Sequence, residues 1–283
     1  MNILFLLAKR FIAGETFEQA KGVVKKLNDL GFSVTLDILG ESVKNRGQAE
    51  RARDSYIELL GNTYKLSLNS HISLKLTQMG LDIDDSYCYE NVIRIVKTAH
   101  EYKNFVRIDM EGSQYTQRTI DIFEKVHKDY PDNVGMVIQA YLYRSKDDAA
   151  HSIEKRYRIR LCKGAYKEPP DIAYPNKRDV NKNFEEIMKE LLLKGNYPAI
   201  ATHDEGLIDS AKLFAGKNDI SRDKFEFQML YGIRRMLQER LLREGYRVRI
   251  YIPYGTHWLP YTIRRVRERK ENLWFVLKNI FRR

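Results

Sequence analysis

Cysteine is scarce in this chain of 283 residues: there are two, Cys88 and Cys162. They do not stand at metal-ligand spacing, and unpaired thiols suit a reducing compartment, so both are expected to be buried bystanders. No second histidine or cysteine lies at ligand distance from His203, so no metal site is expected. Long apolar runs are missing too, and none approaches the roughly 20 residues that span a bilayer. The opening Met-Asn-Ile-Leu-Phe-Leu-Leu-Ala is short, with Lys9 and Arg10 after it rather than before it. Neither a signal peptide nor an anchor is expected, which points to a cytoplasmic protein. There is no Gly-x-Gly-x-x-Gly fingerprint and no Walker loop, so a nucleotide would need a non-Rossmann arrangement. No serine or cysteine is set apart as a nucleophile with a histidine partner. No Gly/Ser-rich linker or low-complexity block divides the chain.

What the chain does have is enough apolar sequence, 43%, to bury a sizeable core, together with 31% charged residues and a net charge of +11. Such a charge suits nucleic acid, an anionic membrane surface or small anionic ligands, and charge alone does not choose among them. The basic residues are spread out except for a final cluster of Arg264, Arg265, Arg267, Arg269, Lys270, Lys278, Arg282 and Arg283. That cluster reads either as a peripheral membrane contact or as solvated surface.

Two periodicities alternate along the chain. A helix over 16–30 precedes a strand over 32–39, and helices at about 47–60, 86–102 and 115–128 separate strands at 72–76, 105–110 and 135–141. Strands follow at 157–162, 199–202, 225–230 and 248–252, with helices at about 182–194, 205–215 and 233–244. The segment 167–181, with Pro169, Pro170 and Pro175, reads as a loop. Eight strand-helix units with short connections predict an α/β protein in which residues 1–283 form a single domain, a (β/α)8 TIM-like barrel with helical additions at the amino end.

In such a barrel the interior is expected to be packed with apolar side chains, so polar residues at the carboxyl ends of strands are candidates for a site. These are Lys75, Asp109, Glu111, Gln139, Arg160, Lys163, Thr202, His203, Gln228 and Tyr251. Each also has a structural alternative. Lys75 could snorkel from an edge strand, Asp109 could cap a helix, Gln139 could satisfy backbone groups, and His203 could be a core histidine. Gly164, between Lys163 and Ala165, suits either a tight turn or the close approach of an anionic or flat ligand.

The last strand is organised differently. Val248, Ile250 and Ile252 alternate with Arg247, Arg249 and Tyr251, and Pro253 and Gly255 are expected to end the pattern. Pro260 suits the first turn of a helix that places Tyr261, Arg264, Arg265 and Glu268 on one face. Ile263 and Val266 point the other way and are expected to be buried. Two adjacent guanidiniums one turn from an aromatic ring make a fork for a carboxylate or phosphate; an Arg-rich helix end in solvent is the alternative.

Taken in order, these segments resemble the proline dehydrogenase family, in its short monofunctional bacterial form. The resemblance rests on Arg10-Phe-Ile-Ala-Gly-Glu, Leu36-Asp-Ile-Leu-Gly-Glu, Leu74-Lys75-Leu76, Ile108-Asp109-Met110-Glu111 and Ile138-Gln139-Ala140-Tyr141. It continues through Arg160-Leu-Cys-Lys-Gly-Ala-Tyr166, Ala201-Thr202-His203, Phe227-Gln-Met-Leu-Tyr-Gly232, Tyr251, and Tyr261-Thr-Ile-Arg264-Arg265. It implies a distorted barrel that holds FAD non-covalently and oxidises L-proline to Δ1-pyrroline-5-carboxylate, with hydride passing from C5 of proline to N5 of the flavin. Electrons would go on to a quinone, with the basic surface as a membrane contact.

By position, the resemblance makes Asp109 and Arg160 the catalytic pair. It gives Lys75, Arg264 and Arg265 the substrate carboxylate, and Leu161, Tyr166, Tyr251 and Tyr261 its ring. Met110, Gln139, Lys163, Gly164, Ala165, Thr202, His203 and Glu268 would bind FAD. Cys162 and Asp204 depart from the family's pattern, which often has an aliphatic residue and Asn there. The chain has no room for an aldehyde dehydrogenase domain, and no nucleic-acid partner is expected. Two rival readings fit the sequence: another flavin barrel, similar to methylenetetrahydrofolate reductase, and a non-catalytic nucleic-acid-binding barrel.

Overall fold

The computed structural model describes residues 8–267, apart from the side chains of Arg264, Val266 and Arg267. Eight strands, β1 (Ser33–Ile38), β2 (Ser70–Lys75), β3 (Val106–Asp109), β4 (Val134–Gln139), β5 (Ile159–Cys162), β6 (Ala199–Ala201), β7 (Glu226–Leu230) and β8 (Val248–Tyr254), follow one another round a closed parallel barrel. The circle closes where β8 pairs with β1, from Ser33 opposite Arg249 to Ile38 opposite Tyr254. Helix α1 (Phe17–Asp29) precedes the barrel. The others are α2 (Arg46–Lys65), α3 (Asp85–Glu101), α4 (Thr116–Asp129), α5 (Ser145–Glu154), α6 (Lys177–Lys194), α7 (Glu205–Lys217), α8 (Arg235–Arg243) and α9 (Trp258–Arg267). Thr16, Asn45, Asp84 and Asp204 each cap a helix by accepting a backbone N–H in the following turn. A cap of this kind stabilises its helix by about 1 kcal/mol.

Period-two alternation sorts the strand residues onto two faces. Val34, Leu36, Ile72, Leu74, Val106, Ile108, Ile250 and Ile252 belong to one continuous apolar cluster with helix residues such as Tyr56, Val92, Phe123 and Phe184. Each such aliphatic side chain contributes about 1.5–3 kcal/mol when removed from water. The opposite face is not the apolar packing expected of a barrel interior. Asp37, Ser73, Arg107, Arg160, Glu226, Gln228 and Arg249 are all buried there, joined by hydrogen bonds. Polar groups survive in such a place because they satisfy one another.

Three local expectations are corrected. Helix α5 is a helix that the sequence pattern does not show, because Ser145-Lys-Asp-Asp-Ala-Ala-His-Ser-Ile-Glu carries too few apolar residues for a helical period. Pro253 does not end β8, which runs on to Tyr254. Its carbonyl accepts the N–H of Ala13, on the side away from β1, so the N–H that proline lacks is not needed for the β1 ladder. On α9, Ile263 is exposed and Thr262 is buried, the reverse of the expected apolar side. Tyr261 takes the inward place and packs with Phe11, Ile12, Leu39 and Ile233. Val266 lies outside the described side chains.

Among the described residues, no helix is long and apolar enough to cross a membrane. No cluster of three metal-ligating side chains occurs among them either.

Candidate active site

The carboxyl ends of the strands open into a cleft of about 1380 Å3. Its floor is a set of charges delivered by neighbouring strands. Lys75 at the end of β2 and Asp109 at the end of β3 are register partners, and Asp37 reaches in from β1. The Lys75 ammonium donates to Asp37 Oδ1 and Oδ2 at 3.1 and 3.2 Å and lies 3.6 Å from Asp109 Oδ2. Asp109 is the hub. Its Oδ1 accepts from Arg160 Nη1 at 2.7 Å and from Ser73 at 2.6 Å, and its Oδ2 accepts the Tyr251 hydroxyl at 2.8 Å. Arg160 Nε donates to Gln228 at 2.5 Å, and its guanidinium lies 5.3 Å from the Tyr251 ring centroid. Its remaining nitrogen, Nη2, is buried with no hydrogen-bond partner among the described residues.

The closed barrel leaves Lys75 no edge to snorkel from, and Asp109 caps no helix, so neither structural alternative holds. The environment drives the two carboxylates apart. Burial raises the pKa of Asp37, with the charge of Asp109 adding to it and Lys75 opposing. Burial works the same way on Asp109, but Arg160 and Lys75, with bonds from Ser73 and Tyr251, outweigh it and lower its pKa. Burial disfavours the Lys75 ammonium, yet Asp37 and then Asp109 prevail and hold it charged. The Tyr251 hydroxyl stays protonated, its pKa raised by burial and then by Asp109 and Asp37. The floor therefore sets two basic side chains, Lys75 and Arg160, against two acidic ones, Asp37 and Asp109.

The wall of the cleft comes from the loops after β3 to β7. Met110, Gln139, Lys163, Gly164, Ala165, Tyr166, Thr202 and His203 all line it. Gly164 has φ +112°, and a Cβ there would come within 2.2 Å of the Tyr141 ring, so its glycine is required by both conformation and space. Lys163 pairs with Asp204 at 2.7 Å, which lowers the pKa of Asp204. His203 Nε2 accepts the N–H of Leu230 at 2.9 Å, and Gln139 donates to the carbonyl of Glu111 at 2.9 Å. Glu111 turns away to Thr77, bonding its N–H at 3.0 Å and its hydroxyl at 2.6 Å. Cys162 is not fully buried and lines the cleft, with burial pushing its thiol up to about 12, so it is no nucleophile.

A model of the family described as proline dehydrogenase matches residues 20–278. The chain belongs to the proline dehydrogenase family. It is 43% identical over 273 residues to proline dehydrogenase 2 of Bacillus subtilis, covering 96% of this chain and 90% of that one. It is 40% identical over 280 residues to the proline dehydrogenase of Deinococcus radiodurans, covering 98% and 90%. Among solved structures it is similar to proline utilization A from Bdellovibrio bacteriovorus inactivated by N-propargylglycine, with a TM-score of 0.87 and 27% identity. That match covers 93% of this chain and 32% of the other, so the chain spans about a third of that protein. Membership of this family sets aside the methylenetetrahydrofolate reductase-like and nucleic-acid-binding alternatives.

For a proline dehydrogenase of this kind, most of the residues picked out from the sequence converge on one cleft. Tyr261 and Arg265 of α9 reach its rim, the Arg265 guanidinium 5.2 Å from the Tyr261 ring centroid. Leu161 does not join them. It is fully buried in the apolar cluster, because on β5 it must face opposite to Arg160. The side chain of Arg264, and Glu268, lie outside the described residues. Asp37 and Ser73 join the site although they are not among the candidates the sequence marks. The signal that could have found them is a polar residue two positions from another along a strand: Thr35 with Asp37, and Ser73 with Lys75.

Proposed function

We propose that this chain oxidises L-proline to Δ1-pyrroline-5-carboxylate on FAD, the first step of proline catabolism, with residues 1–283 acting as one FAD-binding barrel. FAD, when bound, takes the hydride that leaves C5 of proline, while the ring nitrogen gives up a proton to complete the two-electron oxidation. The observation that carries this reading is Arg160 Nη2, a buried N–H in the cleft with no acceptor among the described residues. A buried donor is costly to leave unmade, and a flavin ring nitrogen is an acceptor of the right kind. The size of the cleft, about 1380 Å3, exceeds the roughly 300–1,000 Å3 usual for one small ligand and suits cofactor and substrate together.

In this reading, Arg160 donates to the flavin and places positive charge where negative charge develops during transfer. Asp109 holds Arg160 and Tyr251 in fixed positions. Met110, Gln139, Lys163, Gly164, Ala165, Thr202 and His203 line the flavin's share of the cleft, and Glu268 is assigned to the flavin on the family resemblance alone. Lys75, Arg264 and Arg265 take the carboxylate of proline, and Tyr166, Tyr251 and Tyr261 close on its ring, excluding water and fixing C5. The engagement of Lys75 by both oxygens of Asp37 supports this division, because a substrate carboxylate then needs a further cation, and Arg265 of α9 stands at the rim. The electron acceptor is assigned to the quinones on the family resemblance, with the basic surface as the membrane contact.

The test is an absorbance spectrum of the purified protein reconstituted with FAD, recorded before and after anaerobic addition of L-proline. Flavin bands that bleach support cofactor and substrate together. Flavin that binds but stays oxidised removes proline as substrate, and failure to bind FAD removes the cofactor.

A further inference from the structure

The barrel has a second mouth at the amino ends of the strands, where a cavity of about 430 Å3 opens. His71 from the start of β2, Arg158 just before β5, and Arg247 and Arg249 at the start of β8 line it, with Tyr197 and Asp132. Arg249 is already engaged, its Nε donating to Glu226 and its Nη1 to the carbonyl of Val34, both at 2.8 Å. Arg158 and Arg247 are different. Neither forms an ion pair among the described residues, and neither does Asp132.

Arg158 is also fixed in place. Its guanidinium lies 4.3 Å from the ring centroid of Phe105 and 5.0 Å from that of Tyr197, and its Nε is buried without a hydrogen-bond partner. Cation–π contact with two rings restrains the guanidinium while its N–H groups can still meet a ligand. Arg247 approaches the same Tyr197, with a hydrogen bond of 3.4 Å to the hydroxyl. The local field is positive: burial, then Arg249, Arg158, Arg107 and Arg160, lower the proton affinity of His71 well below its ordinary value.

The buried Nε of Arg158 has no hydrogen-bond partner among the described residues, and a buried donor left unmade is costly, so a bound acceptor would offset that cost. Arg247 is exposed at the same Tyr197 ring and presents a second guanidinium that an anion can reach. The cavity falls within the roughly 300–1,000 Å3 typical of small-molecule sites. The donors stand just before β5 and just before β8, on two separate segments of chain. A carboxylate satisfies one guanidinium fork, whereas a phosphate has oxygens enough to accept from two. We propose that the amino-terminal mouth of the barrel is a phosphate-binding site, with Arg158 and Arg247 as its donors, for inorganic phosphate or the phosphate of a small ester.

The test uses the full-length protein with its cofactor. Thermal unfolding is followed against increasing inorganic phosphate, with sodium chloride at matched ionic strength. The site predicts a saturable rise in Tm of about 2–4 °C with phosphate and none with chloride. Arg158→Gln also removes packing against two rings, so Arg247→Gln is the deciding variant. It should keep proline turnover and weaken the phosphate response at least tenfold. By NMR, phosphate should shift the ring signals of His71 and leave the other five histidines unchanged. Saturation by glycerol phosphate at lower concentration than by inorganic phosphate would assign the site to an ester, and the reverse order to the free ion. A phosphate response that persists in Arg247→Gln, is matched by chloride, or leaves His71 unmoved overturns the proposal.

Discussion

Lys75 sits closer to Asp37 than to Asp109: its ammonium bonds both oxygens of Asp37, at 3.1 and 3.2 Å, and stands 3.6 Å from Asp109. Asp37 is 1% exposed, so the pair is largely withdrawn from water at the floor of the cleft. Asp37→Asn should lower stability by about 3 kcal/mol, because removing one member of a buried pair leaves the other uncompensated. Urea unfolding measures it, and a loss below about 1 kcal/mol would mean that Asp109 alone suffices for Lys75.

Arg265 stands at the rim of the cleft beside Tyr261. If it clamps the substrate carboxylate, Arg265→Met should cost about 2 to 5 kcal/mol of binding. That corresponds to a KM for proline at least about thirty-fold higher. FAD content should be retained. Steady-state kinetics with a dye acceptor gives the answer, and an unchanged KM takes Arg265 out of the clamp.

Much of this floor could be read in the sequence, because strands expose their inward residues by alternation. Lys75, Asp109, Arg160, Gln228 and Tyr251 each interrupt an apolar strand at the right phase. The same rule turns Leu161 toward the helices, against the substrate contact that the resemblance implied, since it is adjacent to Arg160. Asp37 escaped because its partner lies 38 residues further on, and no local pattern tells a buried ion pair from a strand-end turn. The buried face of α9 escaped for a related reason. Tyr261 is drawn inward by Phe11 and Ile12 at the far end of the chain, a contact that helical periodicity does not encode.

Gly164 is held at φ +112° against the Tyr141 ring. Gly164→Ala should cost about 1–3 kcal/mol in strain and displacement, and should weaken FAD retention because its neighbours Lys163 and Ala165 line the cleft. Thermal melts and flavin content after gel filtration report the two effects separately. A variant with wild-type values of both would place Tyr141 elsewhere.

Asp204 both caps α7 and pairs with Lys163, and its pKa is lowered by that bond. The sign follows from the unfolded value of about 3.9. Above that pH the pair contributes its full stability, and the contribution fades as the pH falls through the lowered folded value. Asp204→Asn keeps the cap, so at pH 7 it should cost less than about 1 kcal/mol, as expected of a partly exposed pair. The variant should also lose less stability than wild type between pH 5 and pH 3. Parallel acid-side slopes in the two proteins would deny Lys163 its role.

The hydrogen-bonded barrel interior shifts where this protein is mechanically sound. Its oily layer forms a sleeve between strands and helices, while the axis is a column running from Asp109 through Arg160, Gln228 and Glu226 to Arg249. Truncating Leu36, Ile108 or Phe227 opens a void in the sleeve that nothing refills. The column obeys a different constraint, a balance of charge rather than of volume. It can therefore be redesigned in matched pairs, such as Glu226 with Arg249, and the outer sleeve will keep the barrel closed while the chemistry of its axis is changed.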